Sequence, residues 1–145
     1  MLYHAIYVPP GAPPPDRRIV DHPDLARYVR GWGRPHDFGW LAFDADASTP
    51  VGAAWARLFT EADPGYGYVD AQTPELSIAV LPSHRGRGIG TRLLTKLLAT
   101  ARTSCASISL SVSPGNPARR LYERSGFRVV GQRAASVTMK AELRD

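Results

Sequence analysis

Cysteine is all but missing from the chain: Cys105 is the only one. A single thiol excludes an internal disulfide framework and a multi-cysteine metal site, and no metal is expected. Cys105 has no histidine partner in view and reads as an ordinary packing thiol. Long apolar runs are missing too. No stretch approaches the ~18–20 residues needed to span a bilayer, and the first residues lack the basic-then-apolar pattern of a secretory signal. A cytoplasmic protein without a membrane partner is the expectation. There is no internal repeat, and the arginines are scattered among acids rather than gathered in a basic stripe with stacking aromatics, so a nucleic-acid partner is not expected.

What is present suits one compact unit. The 145 residues are 43% hydrophobic, the length and apolar content of a single domain over 1–145. The net charge of +5 and the pI of 9.8 suit an anionic ligand, and equally a soluble surface.

Along the chain, the proline-rich stretch at 9–15 (PPGAPPP) excludes helix and central strand and reads as a loop. His22-Pro23-Asp24 opens a short helix carrying Leu25, Tyr28 and Val29 on one face. A hairpin follows, with strands over 39–44 and 51–59 around a polar turn. Residues 62–74 form a loop containing Tyr66 and Tyr68, and 75–81 alternates as a third strand. The segment 82–87 breaks that strand. From Gly88 to about Arg102, Ile89, Leu93, Leu94, Leu97, Leu98 and Ala101 recur at helical spacing. Residues 106–112 then alternate strictly between apolar residues and Ser107, Ser109 and Ser111. Strand, turn, helix and strand in this order predict a right-handed crossover and parallel pairing. Asn116-Pro117 caps a second short helix ending at Gly126, and two more strands cover 127–132 and 137–143. The expected fold is α+β, a mixed, largely antiparallel sheet with one parallel crossover and flanking helices.

The chemistry concentrates in the turn at 85–90, RGRGIG. Three glycines permit left-handed backbone and close approach of a ligand. Free N–H groups at a helix start attract anions, and Arg85 and Arg87 add charge with bidentate geometry. A diphosphate is the natural guest. A Walker loop would need a lysine that is not there, and a dinucleotide fingerprint would need different glycine spacing and an acid after the next strand.

Residues 75–131 resemble the GNAT superfamily of N-acetyltransferases. Arg85, Gly88 and Gly90 match its first signature, and Asn116, Ala118, Leu121, Tyr122, Gly126 and Phe127 its second. The resemblance implies acetyl-CoA as co-substrate, with Arg85, Gly86, Arg87, Gly88, Ile89, Gly90 and Thr91 around its pyrophosphate. Ile78, Ala79 and Val80 would meet the pantetheine arm as an added strand, and an N–H near Ala79–Val80 would hold the thioester oxygen. Asn116 and Arg119 would flank that arm, and Arg124 would reach the ribose phosphate. Tyr122 stands where a phenol can protonate the departing thiolate. Glu75 is the first candidate base for a small-molecule or peptide amine; Asp70, Glu61 and His36 follow it. Tyr66 and Tyr68 are candidates for the wall of an acceptor pocket. A binding module of the same fold without catalysis is the alternative. The resemblance also exposes a departure. Residues 2–8 look like the end of the family's first helix, and its opening strand is missing, so that truncation, another start, or completion of the sheet in a homodimer is expected.

Overall fold

The computed structural model describes residues 1–46 and 48–144. The elements are α1 (Pro23–Ala26), β1 (Phe38–Phe43), β2 (Pro50–Arg57), β3 (Glu75–Val80), α2 (Ile89–Ala101), β4 (Ser107–Val112), α3 (Ala118–Arg124), β5 (Arg128–Arg133) and β6 (Ser136–Glu142), with short 3-10 turns at Leu2–Ala5, Arg17–Asp21 and Pro82–His84. They form one six-stranded sheet in the order β1-β2-β3-β4-β6-β5. Every neighbouring pair is antiparallel except β3 and β4, which are joined through α2 and run parallel. The mixed sheet and its single parallel crossover are as the sequence pattern predicts. Before β1, the described residues form helical turns and no strand.

The core lies between the sheet and its helices. The apolar stripe of α2, with Leu93, Leu94, Leu97 and Leu98 buried, packs on Ala54 and Ala56 of β2 and on Ile108, Leu110 and Met139. The opposite face of β2 and β3 is covered by the N-terminal residues, with Met1, Leu2 and Ala5 on Ala53, Trp55 and Ala79. A strand covered on both faces carries small and apolar residues without alternation, and β2 is buried from Val51 through Arg57. Phe59, expected at the end of that strand, lies just past it and packs edge-on against Tyr28 at 5.1 Å.

The serines of β4 are a second departure. Alternation with apolar residues suggests a solvent face, yet Ser107 and Ser109 are buried. The loop of residues 58–74 folds over them. Thr73 Oγ1 lies 2.9 Å from Ser107 Oγ, and Ser109 Oγ donates to the Gly67 carbonyl at 2.7 Å. Gly67 is pressed onto the β4 backbone, where a Cβ would stand 2.6 Å from the Leu110 carbonyl carbon and 2.8 Å from Ser111 N. Backbone atoms cannot rotate aside. Gly67→Ala is therefore expected to cost about 2–3 kcal/mol by overpacking. That lowers the melting temperature by roughly 5–10 °C for a chain of this size. Thermal unfolding by circular dichroism checks it, and an unchanged midpoint would mean the loop is not seated on β4.

Candidate active site

The parallel pair β3–β4 is joined at one register position, Glu75 opposite Ser109, where Ser109 N donates to the Pro74 carbonyl at 2.9 Å. Beyond that point the strands part. The gap is a cleft of about 720 Å³ walled by residues 77–80 of β3, by residues 110–113 running out of β4, and by Ala118, Leu121 and Tyr122 of α3; His4, Ala5 and Tyr7 close over it, and Glu75, Tyr28 and Tyr66 stand at its paired end.

Strand parity decides which backbone groups face the gap. Ser109 N bonds Pro74 O on the β4 side, and Leu81 N bonds Val51 O at 2.8 Å on the β2 side. Groups on alternate residues point to opposite edges of a strand. Ile78 and Val80 therefore turn their N–H and C=O into the gap, while Ala79 turns its own toward Ala53 of β2. The two N–H groups aimed at the cleft are those of Ile78 and Val80. The Val80 carbonyl receives Arg85 Nε at 3.0 Å, and Arg85 also reaches the His4 carbonyl at 3.4 Å. Arg85 thus ties β3 to the N-terminal segment at the cleft mouth.

At the turn, Gly88 takes φ 79° and caps α2 with no side-chain hydrogen bond to the first amides. Arg92 N is the first amide of the helix to find a carbonyl, that of Gly88 at 3.1 Å. The amides of Ile89, Gly90 and Thr91 stand ahead of it without an acceptor among the described residues, the kind of free donors that make a helix start an anion site. These residues fit a phosphate group. On α3, Asn116 Oδ1 accepts from Ala118 N at 2.9 Å, so the side chain starts the helix while the residue also lines the cleft.

Several titratable groups line the cleft. Tyr122 is buried and meets Phe127 edge-on at 5.9 Å. Burial pushes its hydroxyl up to about 12, so it holds its proton at neutral pH. No buried side-chain polar atom among the described residues lacks a partner. The Tyr122 hydroxyl has no hydrogen-bond partner among the described residues, so it is not sealed in the core and opens to the cleft. Glu75 is 3% exposed, not the exposed strand-end charge its position suggests. Its Oε2 accepts from the Tyr28 hydroxyl at 2.5 Å and its Oε1 from Gly67 N at 3.0 Å. Burial pushes its carboxyl up to about 7, against the pull of those two donors and of Arg27 and Arg133. His4 is pushed down by burial and by the nearby positive charges of the N-terminus, Arg17 and Arg85.

Glu75 carries a sign for stability. The folded chain keeps this proton to about pH 7, whereas the ordinary carboxyl value is 4.5. Between those values the folded state binds more protons than the unfolded one, so stability must fall as pH rises through that window and level off above it, at up to about 1.4 kcal/mol per pH unit. Urea midpoints measured from pH 4.5 to 8 are expected to show this fall and to lose it in Glu75→Gln. An equal fall in both proteins would place its origin elsewhere.

Of the residues singled out in the sequence, Glu75, Ile78, Ala79, Val80, Arg85, Gly86, Gly90, Asn116 and Tyr122 line the cleft together, and Tyr66 joins them. Arg87, Gly88, Ile89 and Thr91 stand at the turn beside it. Arg119 pairs with Glu123 at 3.3 Å, and Arg124 is exposed on the last turn of α3. Tyr68, Asp70, Glu61 and His36 are not part of the cleft lining. Sequence reading missed Tyr28, His4 and Tyr7. The sequence pattern put Tyr28 on one helical face with Leu25 and Val29, but α1 ends at Ala26, leaving Tyr28 buried and Val29 exposed in the turn beyond it. Nothing local marks the Tyr28 hydroxyl, whose carboxylate partner is 47 residues away.

The model of the Acetyltransferase (GNAT) family matches residues 4–127. No curated protein matches at a significant level. Among solved structures, a Bordetella pertussis protein ascribed to the GnaT acetyltransferase family superposes with a TM-score of 0.66 at 24% identity, over 81% of this chain and 72% of its own. The PaiA N-acetyltransferase of Thermoplasma acidophilum, in complex with coenzyme A, gives 0.58 at 19% identity over 73% of this chain and 60% of its own. A GNAT superfamily phosphinothricin acetyltransferase of Sinorhizobium meliloti, in complex with AcCoA, gives 0.58 at 22% identity over 73% and 60%. The chain thus spans less than two thirds of the two ligand-bound proteins. At these identities the likeness is one of fold.

Proposed function

Because this chain belongs to the GNAT acetyltransferase family, we propose that it transfers the acetyl group of acetyl-CoA to a primary amine by direct attack, with Tyr122 as general acid and the whole of 1–145 acting as one unit. The observation that carries this reading is the opening between β3 and β4. Its edge offers the N–H groups of Ile78 and Val80, and Tyr122 and Glu75 both line it.

Acetyl-CoA would supply an activated acyl thioester. The amides of Ile89, Gly90 and Thr91, with Gly86, Arg87 and Gly88 before them, would hold its pyrophosphate, helped by the helix dipole. Ile78 and Val80 would pair with the pantetheine amides as a strand edge, and an N–H there would stabilise charge developing on the carbonyl oxygen. Asn116 and Arg119 would flank the arm, and Arg124 is placed on the same helix for the ribose phosphate. Glu75, whose carboxyl titrates near 7, is suited to take a proton from the amine near neutral pH. Tyr122, protonated at that pH, is suited to give one to the thiolate. The acceptor enters from the paired end, where Tyr28, Tyr66 and Leu25 form the wall; a small-molecule or peptide amine fits that description. The ligand-bound relatives support the donor assignment.

The test is release of free thiol from acetyl-CoA with a panel of primary amines. Amine-dependent release is expected. Cofactor binding without turnover on any amine would replace the transferase with a non-catalytic acyl-CoA-binding module.

A further inference from the structure

Tyr28 belongs to neither sequence signature, yet it lines the cleft and is as buried as Tyr122. It is 5% exposed. Its carbonyl is held by Trp55 Nε1 at 3.1 Å, and its ring lies edge-on to Phe59. The preceding residue, Arg27, is clamped by Asp24 at 2.6 Å and Asp63 at 3.3 Å and donates to the Pro64 carbonyl. Arg57 Nη1 donates to the carbonyls of Arg27 and Arg30 at 2.9 and 2.7 Å, while its pair with Asp37 at 2.8 Å keeps that charge satisfied. The backbone on both sides of Tyr28 is therefore anchored to the sheet.

Its hydroxyl has two jobs. It donates to Glu75 Oε2 at 2.5 Å and accepts from Tyr66 N at 2.8 Å. The accepting bond fixes the direction in which the proton points, because a hydroxyl that accepts from a backbone amide has its one hydrogen left for the carboxylate. With Gly67 N on the other oxygen, the carboxylate is held at both ends, and its remaining lone pairs are those available toward the cleft.

We propose that Tyr28 is a positioning residue. It orients the Glu75 carboxylate toward the acceptor end of the cleft and sets the pH at which that carboxylate accepts a proton. The inference rests on the transferase reading for its link to catalysis. Other charged or titratable groups around Glu75 are Arg27 on the same segment as Tyr28, Tyr66 on the covering loop, Arg133 at the end of β5, and His4 and Tyr122 on the cleft wall. Among the described residues, none of these donates a side-chain hydrogen bond to the carboxylate. Tyr28 does, so removing its hydroxyl removes a stabiliser of the charged form, and the proton must bind more tightly.

The experiment compares the parent with Tyr28→Phe, which keeps the ring and loses the hydroxyl. The pH dependence of kcat/KM for the amine is expected to move its acidic limb upward by about one unit. That is a roughly tenfold loss near pH 6, with activity regained at pH 9 and KM for acetyl-CoA unchanged. Carbon-13 titration of the Glu75 carboxyl, assigned with Glu75→Gln, is expected to show the same upward shift. A loss equal at all pH values, with an unmoved carboxyl titration, would overturn the proposal and leave Tyr28 as a packing residue. The carboxyl titration does not depend on turnover. Should the parent release no thiol with any amine, the transferase reading fails, while an upward shift still supports the hold of Tyr28 on Glu75 and an unmoved titration still removes it.

Discussion

Tyr122→Phe is expected to lower kcat for amine-dependent thiol release by about 10²–10⁴, the usual worth of a positioned general acid, and to leave acetyl-CoA binding within a few fold. The phenol is buried, its ring rests on Phe127, and its hydroxyl makes no protein hydrogen bond among the described residues. Phenylalanine keeps the ring and strands no partner, so the fold should be unaffected. Burial holds the hydroxyl near 12. It is therefore protonated across the working range and is available to share its proton with the sulfur as the carbon–sulfur bond breaks. Two readouts separate this from a packing role: single-turnover rates, which should fall with kcat, and calorimetric affinity for CoA, which should not. An unchanged kcat would remove Tyr122 from the chemistry.

Gly88→Glu is expected to weaken CoA binding by at least about 100-fold, because a carboxylate would compete for the amides that attract phosphate. The geometry lets this be tested without unfolding the chain. A Cβ at Gly88 meets nothing within 4 Å, and the cost of substitution is the left-handed φ of 79°, about 1–2 kcal/mol for an L-residue. A negative charge at a helix start is otherwise favourable. Gly88→Ala bears the same backbone strain without the charge and serves as the control. The glutamate variant should fold with a midpoint near that of the alanine variant, and only the glutamate variant should lose CoA by calorimetry. Normal CoA affinity in Gly88→Glu would move the phosphate site away from this turn.

Much of the fold was legible because its signals are short in range. The α2 stripe repeats every three or four residues, β3 and β4 alternate, Asn116 and Gly126 bracket α3, and the strand–helix–strand order compels a parallel crossover. The turn at 85–90 could be read for the same reason, since glycine and charge act where they stand. The cleft itself was less legible. That Ser107 and Ser109 are buried follows from a loop folding over them, which no alternation pattern encodes. The parity that turns Ile78 and Val80, and not Ala79, into the gap depends on which carbonyl meets Leu81 N.

The sequence by itself therefore determined the mixed sheet, the glycine turn at the start of α2 and the family. Tertiary structure alone decided that β3 and β4 part after one paired position, that Glu75 is buried, and that Tyr28 holds it from 47 residues away. The reason is physical. Helical and strand periods arise from neighbours along the chain, whereas the charge state of a carboxyl depends on desolvation and on donors that only the closed fold brings within hydrogen-bonding distance.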